Sequence, residues 1–228
     1  VSREREEEIT ALLEEAAGSV GERYRSRELG VPAPVMTHLA SRGAALLRRA
    51  LLAEMEKLPP FRVTHVEHPF TVDMEGYRIA GRIDRLAATE DGAYTIVDYK
   101  KGNLPGASEI GPDREGGIEG LRSLQLPMYL MATEKELGRS PELTEELYYL
   151  SLEKGELRFL RSETVRGKST LSGEGFYAFL EKSRELLGET AGRIRSGEFR
   201  CDERDPDCEE CPFRGICRSR FSVRSRDE

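Results

Sequence analysis

Residues 77–101, YRIAGRIDRLAATEDGAYTIVDYKK, restrict the fold more than any other part of the chain. Tyr77, Ile79, Gly81, Ile83 and Arg85 alternate with Arg78, Ala80, Arg82, Asp84 and Leu86, which is the period of a strand, and residues 93–99 form a second β-rich run. Thr89-Glu90-Asp91-Gly92 between them is a turn signal, so the two runs fold back as a hairpin. Whether the loop holds roughly two, three or four residues, Asp84 comes opposite residue 97, 98 or 99, in each case near Asp98. Asp98 and Lys100 are two apart on one strand and leave the same face of the sheet. Two carboxylates and an ammonium therefore converge.

Carboxylates brought together repel, and a divalent metal is the usual means of stabilising such a pair. A hard cation such as Mg2+ takes oxygen ligands and keeps several waters. One of these can attack phosphorus while the lysine offsets the developing negative charge. An isolated Asp/Lys pair on an exposed strand is most often a solvated contact of little consequence. Here Ile96 and Val97 lead straight into Asp98, and Gly102 closes the strand beside Lys101, which favours a built site. Such a site suits the cutting of phosphodiesters.

The motifs GRIDR, IVDYKKG and LQLPMY, in that order, resemble those of the PD-(D/E)XK nuclease superfamily. More narrowly they resemble the RecB-like branch found at the C-terminal end of AddB-type helicase–nuclease subunits, over residues 36–217. The resemblance implies metal ligation by Asp84 and Asp98, Lys100 as the catalytic lysine, the Tyr99 carbonyl as a further ligand and Glu67 in a supporting role at the metal. It also places Gln125 and Tyr129, four apart on one helix face, near the scissile phosphate; taken alone, the pair reads equally well as a core tyrosine with a polar neighbour. RecB-like nucleases carry a metal-binding histidine on the preceding helix, a few residues after a glycine. Counted from Gly43 that position falls at Leu47, which cannot ligate, and His38 lies more than two turns earlier.

A chain of 228 residues can form one domain with a sizeable core, or a domain with an appendage. Its 38% hydrophobic and 34% charged residues describe a soluble protein. No apolar run approaches bilayer length and no signal peptide opens the chain, so a cytoplasmic location without membrane contact is expected. The first residue is Val1, as in a fragment of something longer. A net charge of −7 argues against a passive nucleic-acid binder. The distribution matters more: residues 1–15 and 201–210 are acid-rich, whereas Arg214, Arg218, Arg220, Arg224 and Arg226 make the tail basic. An enzyme that needs only a local groove for a phosphate backbone can be acidic overall.

Periodicity predicts helices over 4–17, 36–58, 118–137 and 173–196 and strands over 61–74, 146–152 and 157–163, the last two paired around Lys154-Gly155. Leu39, Ala40, Leu46, Leu47, Ala50, Leu51 and Met55 form the second helix's sheet-facing side, and Pro59-Pro60 stops it. Residues 18–34 carry no assignment, and 102–117 read as a mobile polar loop beside the site. Arg166-Gly167-Lys168-Ser169-Thr170 invites comparison with a phosphate-binding loop, but that pattern needs a glycine where Ser162 stands, so no nucleotide-binding site is expected in this chain. The expected fold is α/β, with a mixed central sheet flanked by helices in the restriction-endonuclease-like manner and a C-terminal cysteine metal-binding lobe. Its expected parts are an N-terminal helical segment (1–35), the nuclease core (36–199), and a cysteine cluster with basic tail (200–228).

Cys201, Cys208, Cys211 and Cys217 are the chain's only cysteines, and their clustering in a cytoplasmic protein favours metal over disulfides. A zinc site usually shows two Cys-x2-Cys knuckles and only one is present; cysteine-only ligation also suits an iron–sulfur cluster. CEECPFRGIC is similar to the end of AddB-type nuclease domains, a resemblance that implies a [4Fe-4S] cluster, with Zn2+ as the alternative. In that family the first cysteine lies upstream of the core. Either Cys201 substitutes for it or the partner precedes Val1. The whole reads as a Mg2+- or Mn2+-dependent deoxyribonuclease of recombination or repair, acting from DNA ends or on single strands, with a helicase subunit or domain as partner. A nuclease-like domain without catalysis, serving DNA binding or subunit docking, is the alternative that Leu47 and the acidity favour. A zinc-dependent interaction module would explain the cysteines and leave the hairpin unexplained.

Overall fold

A computed structural model of the chain describes residues 3–25, 31–112, 117–118, 121–165 and 170–198. The cysteines and the basic tail lie outside the described residues. The chain divides into two compact units, Val1–Gly188 and Glu189–Glu228, and the sheet and candidate site belong to the first.

Helices α1 (Arg3–Arg25) and α2 (Ala33–Lys57) precede a sheet of five strands among the described residues: β1 (Arg62–Met74), β2 (Tyr77–Ala88), β3 (Tyr94–Lys100), β4 (Thr144–Ser151) and β5 (Leu157–Ser162). The strands lie side by side in chain order. β1, β2 and β3 form an antiparallel meander, β3 runs parallel to β4, and β4 and β5 form a hairpin. A parallel junction cannot be closed by a tight turn. The crossover carries α3 (Ala107–Ile110) and α4 (Gln125–Leu137), and α5 (Gly173–Arg195) follows the sheet. The expected mixed sheet flanked by helices is what forms.

Helices cover both sheet faces, which is why β3 and β4 are buried almost throughout rather than in alternation. On one face Leu86, Ile96, Leu147 and Tyr149 meet Leu126 and Leu130 of α4 and Phe176 and Phe179 of α5. On the other, Val97, Tyr148, Leu150 and Phe159 meet Ala50 of α2. β2 pairs with β1 along its whole length but with β3 only from Arg85 to Ala88, so the outer part of the β1–β2 hairpin keeps one face in water and alternates. The β2–β3 link closes with the Thr89 N–H on the Ala93 carbonyl at 2.9 Å, and Gly92 takes φ 89°, which a side chain would resist.

Several expectations need correction. α1 runs well past residue 17 through Gly18 and Gly21. Gly21 is buried where α1 crosses α2, and a Cβ there would stand 3.8 Å from that of Ala40, so this glycine serves helix contact rather than helix termination. α2 turns Ala44, Ala50 and Glu54 inward, while Leu39, Leu47 and Met55 are exposed. Residues 102–112 are not a bare loop, for Ile110 of α3 is 2% exposed and anchors the segment in the core. The helix expected from Ile118 begins at Gln125, with Ile118 and Leu121 packed on the core ahead of it. Among the described residues no helix is long and apolar enough to cross a membrane.

Candidate active site

The β2–β3 ladder runs from Ala88↔Tyr94 to Arg85↔Val97 and stops, although β2 continues beside β1 and β3 beside β4. Continuing that register would set Asp84 opposite Asp98. The strands part at this level, and the Tyr99 N–H donates to Asp84 Oδ2 at 2.8 Å. The aspartate side chain thus accepts a main-chain hydrogen bond where the ladder gives out.

Asp98 is 1% exposed. Its Oδ1 accepts from the Tyr129 hydroxyl at 3.4 Å, and its Oδ2 lies 2.8 Å from Lys100 Nζ. The Lys100 ammonium is the one partner of that oxygen among the described residues. Burial pushes the Asp98 carboxyl above the ordinary aspartate range; Lys100 opposes the shift and the charge of Asp84 adds to it. Lys100 Nζ also donates to Gln125 Oε1 at 2.8 Å and stands 5.1 Å from the ring centre of Tyr149. Gln125 Nε2 donates to the Tyr129 hydroxyl at 2.8 Å. Burial above all pushes the Tyr129 phenol up to about 12, so at neutral pH it keeps its proton and donates to Asp98. Lys100, Gln125, Tyr129 and Asp98 therefore form a closed ring of polar contacts with Asp84 beside it. One turn-spacing in α4 supplies two of its members.

These residues fit a hard cation. Two carboxylates from diverging strands, one of them buried with an oxygen held by the Lys100 ammonium alone among the described residues, offer the sparse oxygen set that Mg2+ takes while keeping most of its waters. Among the described residues no group of three or more His, Cys, Asp and Glu side chains could hold a metal ion, so a denser protein cage is not on offer. Glu67 is not brought into the ring. It sits level with Asp84 on β1 with φ 49°, and its 63% exposed carboxylate pairs with Arg82 at 3.1 Å. Leu47, at the position expected for histidine, is 43% exposed on α2, and His38 is exposed on the same helix. Cys201, Cys208, Cys211 and Cys217 lie outside the described residues.

The sequence reading missed a second charged cluster on the opposite sheet face. Arg85 Nη1 donates to Glu54 Oε2 at 3.0 Å and Nη2 to Glu54 Oε1, and the Tyr148 hydroxyl both accepts from Arg85 Nη2 at 3.0 Å and donates to Glu54. One signal was present: Glu54 falls four residues after Ala50 in the apolar stripe of α2, where an unpartnered carboxylate would be costly. Tyr149 was missed as well. Its ring faces Lys100 and its hydroxyl meets Ser123 Oγ at 2.8 Å.

No curated protein matches the chain. A family model described as PD-(D/E)XK nuclease superfamily matches residues 1–218. Nucleases of that superfamily typically use Mg2+ or Mn2+, in keeping with an oxygen site of two aspartates beside a lysine. With the family model spanning nearly its whole length, the chain belongs to the PD-(D/E)XK nuclease superfamily.

Proposed function

We propose that the chain hydrolyses DNA phosphodiesters with a divalent cation held by Asp84, Asp98 and the Tyr99 carbonyl. The observation that carries this reading is the ring that holds a buried Asp98 carboxylate against a lysine whose side chain is 33% exposed. Mg2+ or Mn2+ bound there supplies an acidified water and neutralises phosphate charge. Lys100 stands where it can hold the attacking water and offset charge on the phosphate oxygens. Gln125 and Tyr129 fix Lys100 and Asp98 in place, and Gln125, only half-buried, can also meet the phosphate. Glu67, freed from Arg82, can serve the outer side of the metal.

The motif order supports a RecB-like enzyme of the AddB type, working in the cytoplasm on DNA ends or single strands beside a helicase subunit or domain in recombination or repair. The C-terminal cysteines then hold a [4Fe-4S] cluster. Stoichiometric iron and sulfide with visible absorbance is the expected result, and stoichiometric zinc would refute it. Asp98→Ala and Lys100→Ala should each reduce Mn2+-dependent digestion of defined-end DNA about 100-fold or more. Asp98→Ala should also abolish the calorimetric Mn2+ isotherm, whereas Lys100→Ala should retain it. Digestion unchanged in both variants would overturn the assignment. A non-catalytic docking or DNA-binding role is favoured by Leu47 and the net acidity, and a wild type that binds no Mn2+ would turn the choice toward it.

A further inference from the structure

Arg85 occupies the last rung of the β2–β3 ladder, directly after Asp84 and across from Val97, the residue before Asp98. Its side chain is 4% exposed, and that of Glu54, its partner on α2, is fully buried. Tyr148 of β4 joins both, and the rings of Phe61 and Tyr99 lie 5.0 and 5.5 Å from the guanidinium carbon. α2, β2 and β4 are thereby tied together at the level where β2 leaves β3. A buried ion pair contributes little net stability, because desolvation offsets the attraction and apolar side chains of like volume serve as well or better. Arg85 Nε has no partner among the described residues, a further cost. What the cluster supplies that apolar packing would not is one fixed, directional geometry for both strands.

We propose that Glu54, Arg85 and Tyr148 are positioning residues for the metal pocket. From the opposite face of the sheet they set the point at which β2 departs from β3, and with it the Asp84–Asp98 separation and the Tyr99 N–H bond to Asp84. This rests on the reading of Asp84 and Asp98 as metal ligands. The test compares wild type, Tyr148→Phe and the double variant Glu54→Leu/Arg85→Met in thermal unfolding, calorimetric titration with Mn2+ alone and hydrogen exchange at the Tyr99 amide. Folded variants are expected to bind Mn2+ about 10-fold or more weakly, as when partners that orient metal ligands are lost, and to exchange the Tyr99 amide faster. Wild-type Mn2+ affinity and unchanged Tyr99 protection in a folded variant would overturn the proposal. If the double variant does not fold, Tyr148→Phe, which loses one hydroxyl, decides by the same two readouts. A wild-type isotherm unmoved by Asp98→Ala would instead overturn the metal reading itself and this proposal with it.

Discussion

Tyr129 meets two demands with two parts of one side chain. Its ring stands edge-on to Phe70 at 6.2 Å in the core, and its hydroxyl joins Gln125 to Asp98. Tyr129→Phe keeps the first and removes the second. We expect thermal stability to fall by about 1 kcal/mol or less, and cleavage at saturating Mn2+ to fall about 10-fold, a split that a purely structural tyrosine would not produce. Glu146 is a contrasting case away from the site. It is 2% exposed, accepts from the Thr164 N–H at 3.2 Å through Oε1, and has no partner for Oε2 among the described residues. Burial raises its pKa above the ordinary 4.5, so the folded state holds the proton to higher pH than the unfolded chain does. Its contribution to stability is present below pH 4.5 and is lost as pH rises through the folded-state value. Glu146→Gln should flatten that part of the pH–stability profile. At pH 7 it should gain about 1 kcal/mol, or roughly 2–4 °C in Tm for a chain of this size.

Within the β1–β2 hairpin the Phe70 ring lies across its strand partner Gly81, where an added Cβ would stand 2.6 Å from the ring. Gly81→Ala should cost about 1–3 kcal/mol by denaturant titration, and Phe70→Leu in the same chain should recover part of it. The β2–β3 hairpin was legible from sequence because its period of two and its Thr-Glu-Asp-Gly turn are local signals. The same register placed Asp84, Asp98 and Lys100 together. α2 was misread because its apolar stripe serves two neighbours: Ala50 packs on the sheet, while Leu39 and Leu47 line a groove against Leu13, Val20 and Tyr24 of α1. Glu54, Arg85 and Tyr148 were illegible as a cluster, since Glu54 meets its partners 31 and 94 residues away. A spacing rule reaches along one helix or strand. It says nothing about which strand a helix will lie across.

Metal binding should register in the stability of the first compact unit as a unit, because Asp84 and Asp98 belong to strands that reach into its central sheet. At Mn2+ about 100-fold above the Kd, native-state binding should add about 2.7 kcal/mol and raise the unfolding midpoint by several degrees, an increment absent in Asp98→Ala. The sequential strand order carries a consequence for biosynthesis. Asp84, Asp98 and Lys100 all lie on strands that leave the ribosome before α4, which brings Gln125 and Tyr129. A nascent chain can therefore pair its first three strands and still lack the lid of hydrogen bonds that orients its lysine. On the proposed assignment the site is finished by a segment translated after its acidic residues, and cleavage should appear only once the crossover has docked.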